Sequence, residues 1–392
     1  MLLTRRHLLT SSLLLPGWPS SVHAQSPNSA PSVALLTKRS LQFPRDLGSH
    51  PDTAIEWWYV TGEMQAPNRL FGFQLTFFRV RVDTTQAMAS AFAAKQLIFA
   101  HAALTDVAGQ RLLHDQRIAR SSGAASVDLA GASTQDTDVR LRDWSLKRQG
   151  NSYRAHMRGQ HFAFSLNLQQ TQPVLLQGDQ GLSRKGPQAA QASFYYSLPQ
   201  LQVTGELTLA GKVLPIEGRA WLDHEWSESL LHPQAVGWDW IGMNLKDGSA
   251  LTAFRLRNST GDALWAGGSW RARGMAEPLV FAPQDVRFTP QRSWKSPASG
   301  ATYPVQWALD VRHPAAGMTA GAASATADGS AFGAPAWQRY TVQALVDNQE
   351  LDSQRATGAI YWEGLSDLLN AQNQPVGRGY LEMTGYASPL RV

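Results

Sequence analysis

The sequence contains no cysteine. This absence excludes disulfide bonds, thiolate nucleophiles and cysteine-ligated zinc or iron–sulfur clusters. Three common motifs are also missing from the sequence: the Gly-x-Ser-x-Gly nucleophile elbow, a glycine-rich phosphate loop and the His-Glu-x-x-His zinc helix. We therefore expect neither an organic cofactor nor a metal ion.

Charge is scarce as well. Charged residues form 17% of the 392 residues, and 35 lysines and arginines stand against 30 aspartates and glutamates. No basic run is longer than a pair, so a nucleic-acid-binding groove, which needs clustered positive charge, is not expected. Hydrophobic residues, at 43%, indicate packed cores. The length allows about two or three domains.

No hydrophobic run is long enough to span a bilayer, but the N-terminus resembles an export signal. Residues 4–10 (TRRHLLT) carry two arginines and precede the apolar residues 13–15 and the small-x-small sequence at residues 22–24 (VHA). A transmembrane helix needs roughly 20 apolar residues. We interpret residues 1–24 as a removable twin-arginine signal peptide and expect a periplasmic or secreted protein. An uncleaved membrane anchor is the alternative.

Short runs of aromatic and β-branched residues, separated by turn residues, recur along the chain. In one of them, Phe71, Phe73, Leu75 and Phe77 alternate with small or polar residues, which is the period of a half-buried strand. Many antiparallel strands either stack as two sheets or close into barrels, because open edges invite aggregation. We therefore predict an all-β protein with two antiparallel β-barrels or sandwiches. The best helix candidates are residues 87–94 and 365–371.

The domain organisation is predicted from shifts in composition. Residues 25–44 are rich in serine, proline and alanine and are interpreted as a linker. We place the first domain at 45–211 and the second at 212–392, with the boundary at the turn Gly211-Lys212. Residues 314–335, dominated by small residues, are expected to form an exposed loop without chemistry.

Polar residues concentrate among aromatic ones in three segments, at residues 50–59, 221–226 (WLDHEW) and 237–240. Charged groups beside indoles are costly to bury, so they are usually paired, hydrogen-bonded or protonated. Side chains with such perturbed protonation suit general acid and base catalysis. These segments are therefore the candidates for a functional site.

The central segment has two faces if it is a strand. Trp221, Asp223 and Glu225 then point to one side, and His224 and Trp226 to the other. Because neighbouring residues point in opposite directions, this segment is not expected to hold a metal ion. The residues that we assign to catalysis are Asp223, His224, Glu225 and Glu56. The residues that we assign to substrate binding are Trp57, Trp58, His101, Trp226, Trp238, Asp239 and Trp240.

A purely structural role remains open for each of these residues. Asp223, His224 and Glu225 could cap a turn or anchor a neighbouring strand, and a carboxylate could pair with Arg255. The tryptophans could be core residues. His101, which lies in an apolar strand, could be an interior histidine with satisfied hydrogen bonds.

Several stretches of the chain resemble the secreted, lipocalin-like proteins often described as hydrolases, which are related to carotenoid 1,2-hydratase and kievitone hydratase. The matching residues are 50–52, 56–59, 99–102, 181–186, 195–199, 221–226, 238–240 and 377–386. The resemblance implies two lipocalin-like (calycin) domains in tandem. It also implies that the polar and aromatic residues lie near the junction of the domains.

The resemblance further suggests an activity. In the carotenoid hydratases, water adds to an isoprenoid double bond after a carboxylic acid protonates it, and aromatic faces would stabilise the carbocation. The His-x-Trp pair of that family matches His224 and Trp226 here. The acid expected on the strand after the Trp-x-Trp segment has no match in residues 251–257 (LTAFRLR). Asp223, Glu225 or Asp239 would have to take its place.

We therefore expect an exported protein that binds a lipophilic or isoprenoid molecule and acts on it as a hydratase or hydrolase. A carrier of lipid without catalysis is the main alternative, and the resemblance suggests an ABC-transporter permease as its partner. A surface that binds polysaccharide through exposed tryptophans is a third interpretation.

Overall fold

The computed structural model describes residues 36–124, 126–229, 231–314 and 335–390. Within these residues the regular structure is β-strand apart from three one-turn 3₁₀ helices, Arg45–Leu47, Asp83–Thr85 and Pro283–Asp285. The predicted all-β fold class is therefore confirmed. No helix of the described part of the chain is long and apolar enough to cross a membrane. The predicted signal peptide and most of the low-complexity segment lie outside the described residues.

Thirteen strands form the first antiparallel sheet. They are β1 (Ile55–Ala66), β2 (Arg69–Arg81), β3 (Gln96–Asp106), β4 (Arg111–Ser121), β5 (Ala130–Ala132), β6 (Asp138–Leu141), β7 (Trp144–Gln149), β8 (Ser152–Arg158), β9 (Phe162–Gln169), β10 (Leu175–Leu176), β11 (Leu182–Arg184), β12 (Ala192–Leu209) and β13 (Lys212–Ser229). The order is β4-β3-β2-β1-β13-β12-β9-β8-β7-β6-β5, and β10 and β11 pair with β12. Because β4 and β5 approach each other, the sheet curls into a nearly closed barrel.

Ten strands form the second antiparallel sheet. They are β14 (Gly237–Leu245), β15 (Ala250–Arg257), β16 (Ala263–Arg271), β17 (Leu279–Phe281), β18 (Val286–Lys295), β19 (Thr302–His313), β20 (Ala336–Ala344), β21 (Glu350–Asp352), β22 (Ile360–Leu369) and β23 (Pro375–Thr384). The order is β17-β16-β15-β14-β23-β22-β20-β19-β18, and β21 pairs with β22. This sheet also curves back on itself, since β16 and β18 lie close together.

Each sheet encloses its own apolar core, and a third apolar cluster lies where the two sheets face each other. The third cluster includes Tyr59, Trp221, Trp240, Phe254 and Tyr380. It forms because strands in the middle of both sheets are covered on both faces, so that alternate side chains enter different cores. The junction of the sheets is therefore an apolar interior, and polar side chains of either sheet can point into it.

Both predicted helices were wrong. Residues 87–94 form turns and irregular structure, and residues 365–369 belong to β22. Residues 361–366 of β22 are all buried, because one face packs in the second core and the other faces the first sheet. A strand that is buried on both faces loses the alternating pattern, and its apolar spacing then imitates a helix.

The chain changes sheets later than the predicted domain boundary. Gly211 lies in the hairpin turn between β12 and β13, and β13 pairs with both β1 and β12 in the first sheet. The crossing to the second sheet lies between Ser229 and Gly237. Part of the predicted linker is also packed, since Leu41 contacts the first core and the ring of Phe43 lies 5.5 Å from that of Tyr196.

Candidate functional site

A cavity of about 560 Å³ lies between the facing sheets. This volume falls in the range of small-molecule sites, about 300–1,000 Å³. Its walls are mostly aromatic and aliphatic, with a few ionisable groups. The aromatic residues of the wall include Trp57, Tyr59, Phe78, Phe99, Tyr195, Trp238, Trp240, Phe254 and Tyr361. The ionisable groups that share the wall with them include Lys185, Asp223, Glu225, Glu363 and Glu382.

The alternation of β13 divides the predicted catalytic residues between two environments. Asp223 and Glu225 line the cavity, whereas Leu222 and Trp226 belong to the first core and His224 is fully buried beside them. The two faces expected from the sequence are thus confirmed. The consequence is that His224 and Asp223 cannot act on the same ligand atom, because the strand itself separates them.

Asp223 is a buried carboxyl on the cavity wall that receives three neutral donors. Tyr195 Oη donates to Oδ2 over 2.9 Å, while Ser197 Oγ and Trp221 Nε1 donate to Oδ1 over 2.5 and 2.6 Å. Burial disfavours the charged form and raises the pKa of Asp223 to about 7, although these three donors act in the opposite direction. Asp223 can therefore hold or release a proton near neutral pH.

Glu225 has a cationic partner. Lys185 Nζ lies 2.9 Å from Glu225 Oε1, and Ser193 Oγ also donates to this carboxylate. The same ammonium lies 4.7 Å from the centre of the Tyr195 ring and 4.4 Å from that of Phe254. Aromatic faces attract a desolvated cation, so this part of the wall already stabilises one positive charge.

Two further carboxyls meet on the opposite wall. Glu363 on β22 and Glu382 on β23 are directly paired across the strands, and Trp238 Nε1 donates to Glu382 Oε1 over 3.1 Å. Burial, and then the neighbouring Glu363, raise the pKa of Glu382 well above its usual value. His101 Nε2 approaches Glu363 Oε2 to 3.4 Å, so His101 lies behind the cavity wall.

Glu56 and His224 belong to a sealed polar cluster in the first barrel. Glu56 Oε2 accepts from Arg79 Nε over 2.8 Å and from Ser49 Oγ over 2.7 Å. Glu56 Oε1 accepts from His50 Nδ1 over 2.8 Å and from His224 Nε2 over 2.9 Å. Both Glu56 and His224 are 0% exposed, and neither lines the cavity. We therefore assign them a structural role in place of the predicted catalytic one.

Hydrogen-bond partners set the protonation in this cluster. His224 Nδ1 lies 2.9 Å from the hydroxyl of Tyr196, so this nitrogen accepts while Nε2 donates to Glu56, as a neutral imidazole requires. Burial accordingly lowers the pKa of His224 to about 4. Although burial opposes ionisation of Glu56, hydrogen bonds from His224 and His50 hold the pKa of Glu56 well below its usual value.

The ligand atoms of His50, Glu56 and His224 lie within 4.8 Å of one another, a spacing that could admit a metal ion. The donor set does not fit one. Each ring nitrogen of His50 already faces a carboxylate oxygen, of Glu56 or of Asp46, so neither is free to ligate an ion. Arg79 already supplies a positive charge to Glu56. The cluster is a network of hydrogen bonds and ion pairs.

Asp239 occupies a comparable position in the second sheet. Its carboxylate lies 2.7 Å from Arg255 Nε and 3.0 Å from Arg257 Nε, and it accepts from Tyr386 Oη over 2.9 Å. Asp239 is 0% exposed and points away from the cavity. The predicted role in substrate binding is replaced by an internal ion pair with Arg255, which was the structural alternative.

The remaining predicted binding residues fall into two groups. Trp57, Trp238 and Trp240 line the cavity, and Trp240 Nε1 donates to Tyr195 Oη over 3.2 Å. Trp58 and Trp226 belong instead to the first core. The ring of Trp58 stacks on that of His224 and the ring of Trp226 on that of His50, so these tryptophans enclose the sealed cluster.

The cavity residues that sequence reasoning missed include five polar ones: Tyr59, Lys185, Tyr195, Glu363 and Glu382. All but Glu363 lie in segments that carry the family resemblance, so a signal for them was present. Glu363 follows Tyr361-Trp362 in an apolar strand. A carboxylate beside aromatic residues was the pattern that selected Glu56, and the same pattern would have found Glu363.

The pKa of Asp223 makes a prediction for stability. Between about pH 4 and pH 7 the folded protein holds a proton on Asp223 that the unfolded chain has released. Asp223 therefore stabilises the fold at low pH, and this stabilisation is lost as the pH rises through about 7. Asp223→Asn should therefore become more stable relative to the wild type by about 4 kcal/mol between pH 4 and pH 8. Urea denaturation at several pH values measures this difference. The exposed Asp52→Asn is the control, and an equal slope in both variants would contradict the prediction.

The whole described fold has known counterparts. An AttH-like family model matches residues 34–386. A crystal structure of an AttH-type protein from Nitrosomonas europaea is 41% identical, covers 90% of this chain and 99% of its own, and superposes with a TM-score of 0.77. Kievitone hydratase from Nectria haematococca is 16% identical, covers 91% and 94% of the two chains, and has a TM-score of 0.63.

No protein of the curated set matches this sequence significantly. The likeness to kievitone hydratase is a likeness of fold, whereas the family match extends over nearly all the described residues. The resemblance inferred from the motifs is thereby confirmed, and the chain belongs to the AttH-like family.

Proposed function

We propose that the protein binds a mostly apolar ligand of lipid or isoprenoid type in the cavity between the sheets and hydrates it by acid catalysis. The observation that carries this proposal is the placement of Asp223, a carboxyl whose pKa is about 7, on the wall of an aromatic cavity. A general acid works best when its pKa lies near the operating pH. The other polar groups of the wall would then orient the ligand.

The proposed reaction begins when Asp223 transfers its proton to one carbon of a double bond. The O–H bond of the carboxyl breaks, a C–H bond forms, and positive charge develops on the more substituted carbon. A water molecule adds to that carbon and then returns a proton to the Asp223 carboxylate, so the acid is regenerated. The faces of Tyr59 and Trp240, which line the cavity, would stabilise the transient cation.

The fold relationship supports the proposal only through the name of one relative, a kievitone hydratase. We also propose export to the periplasm, on the basis of the twin-arginine pattern in residues 1–24. A carrier that binds the same kind of ligand without changing it, and that hands it to an exporter permease, is the second candidate. The aromatic cavity would serve that function equally well.

Incubation of the purified protein with a lipid extract in ¹⁸O-labelled water separates these functions. We expect a product that carries the mass of one labelled water on a former double bond, detected by mass spectrometry. Label in a carboxyl group would indicate ester hydrolysis instead, and a lipid that copurifies and remains unlabelled would indicate a carrier. Heat-denatured protein is the control for uncatalysed exchange.

A further inference from the structure

We infer that Glu363, Glu382 and Tyr59 form a subsite for a protonated amine on the cavity ligand. The inference rests on the proposed function, since it specifies the chemistry of the same ligand. The two glutamates are direct cross-strand neighbours on β22 and β23, and both line the cavity. Like charges at such positions repel each other, so the pair needs a proton or a cation between them.

The protein supplies few cations for this pair. On the cavity wall, Glu225 pairs with Lys185 and Glu228 pairs with Arg81. Within the described residues, no lysine or arginine lies within ion-pair distance of Glu363 or Glu382, and only His101 approaches, at 3.4 Å from Glu363 Oε2. The wall therefore carries an excess of acidic groups over cations on the side of the pair.

Polar atoms beside the glutamate pair also lack hydrogen-bond partners within the described residues. Tyr59 is 5% exposed and lines the cavity, yet its hydroxyl has no hydrogen-bond partner in the described part of the chain. Glu363 is 2% exposed, and its Oε2 faces His101 Nε2 at 3.4 Å, with neither atom in a hydrogen bond there. Buried polar groups are nearly always satisfied, so the Tyr59 hydroxyl points to a partner that the ligand provides.

The chemistry of the missing partner follows from these groups. An ammonium offers three donors and no acceptor, whereas a hydroxyl offers one donor and a carboxylate offers none. Charge-assisted hydrogen bonds to carboxylates are about twice as strong as neutral ones. Trp238 and Trp240 also line this cavity, and aromatic rings there can attract a cation, as the rings of Tyr195 and Phe254 already do for Lys185. The subsite thus favours an amine on an apolar body and disfavours an anionic lipid.

Binding of an ammonium is expected to release a proton, because the pair must ionise to hold the cation. The titratable and charged groups that face the pair or share its cavity are Tyr59, Arg81, His101, Lys185, Tyr195, Asp223, Glu225, Glu228, Tyr361 and Tyr380. Of these, Asp223 has a pKa close to neutrality. Measurement in the Asp223→Asn variant therefore removes the contribution of Asp223 from the number of protons released.

Isothermal titration with decylamine, decanol and decanoate at pH 7 tests the inference. The full-length mature protein should bind decylamine about tenfold more tightly than decanol, and decanoate most weakly. Glu382→Gln and the double variant Glu363→Gln with Glu382→Gln should lose the advantage of the amine and retain decanol. The exposed Glu217→Gln should behave as the wild type.

Titration in two buffers of different ionisation enthalpy measures the proton count without any variant. Release of up to about one proton on decylamine binding, and none with decanol, supports the subsite. Equal affinity for decylamine and decanol overturns it while leaving the proposed apolar-ligand cavity in place. Failure of all three amphiphiles to bind overturns the subsite and the proposed function together.

Discussion

Turnover by the Asp223→Asn variant is expected to fall by about 10²–10⁴-fold, the contribution typical of a positioned general acid. Asparagine keeps the size of the side chain, and its Oδ1 can still accept from Ser197 and Trp221 while its amide nitrogen faces the Tyr195 hydroxyl, but it has no acidic proton to give. The fold should persist, since these three donors surround a group of similar shape. Rates measured with the labelled-water assay test this expectation, and the exposed Asp52→Asn is the matched control.

The dependence of turnover on pH distinguishes loss of the general acid from a change in the shape of the site. In the wild type, turnover should be highest below about pH 7, where Asp223 holds its proton, and should decline above it. Ser197→Ala removes a donor that stabilises the charged form, so the pKa of Asp223 rises and the decline moves to higher pH. An Asp223→Asn variant with wild-type turnover would exclude Asp223 as the acid.

Replacement of Glu56 by glutamine is expected to lower the free energy of unfolding by about 3–5 kcal/mol, the usual cost of leaving a buried charge without its partner. Arg79 and His50 would then face a neutral amide inside the first barrel. The amide can accept on one atom only, so two donors to the former carboxylate, either Arg79 and Ser49 or His50 and His224, lose their acceptor. Urea denaturation followed by circular dichroism measures the change.

The exposed Glu206→Gln is the matched control and should change stability by less than about 0.5 kcal/mol. A Glu56→Gln variant of unchanged stability that nevertheless fails in turnover would contradict the structural role. It would restore the catalytic assignment made from the sequence. Reduced stability together with turnover that recovers at lower temperature would support the structural role.

The fold class and the faces of the strands followed from the sequence because they depend on local periodicity. The alternation of residues 221–226 separated Asp223 and Glu225 from His224 before any partner strand was known. Where both faces of a strand are buried, that signal disappears. Residues 365–369 therefore looked helical although they form part of β22.

The tertiary structure decides which residues surround each face of a strand. The sequence by itself selected Glu56, Asp223, His224 and Asp239 as costly charges among aromatic residues, and all four are indeed buried. It named Arg255 as a possible partner for a carboxylate, but it could not show that Glu56 would find Arg79 inside the first barrel, because this contact depends on strand pairing. Nor could it show that Asp223 would face the cavity.

The pairing of Glu363 with Glu382 was decided in the same way. It arises from the register between β22 and β23, and the cavity around it arises from the packing of two sheets that fold from different parts of the chain. Local pattern determined which side chains could be chemically unusual. Only the packing of the two sheets determined which of them share one space, since desolvation and charge pairing depend on neighbours that the order of residues does not specify.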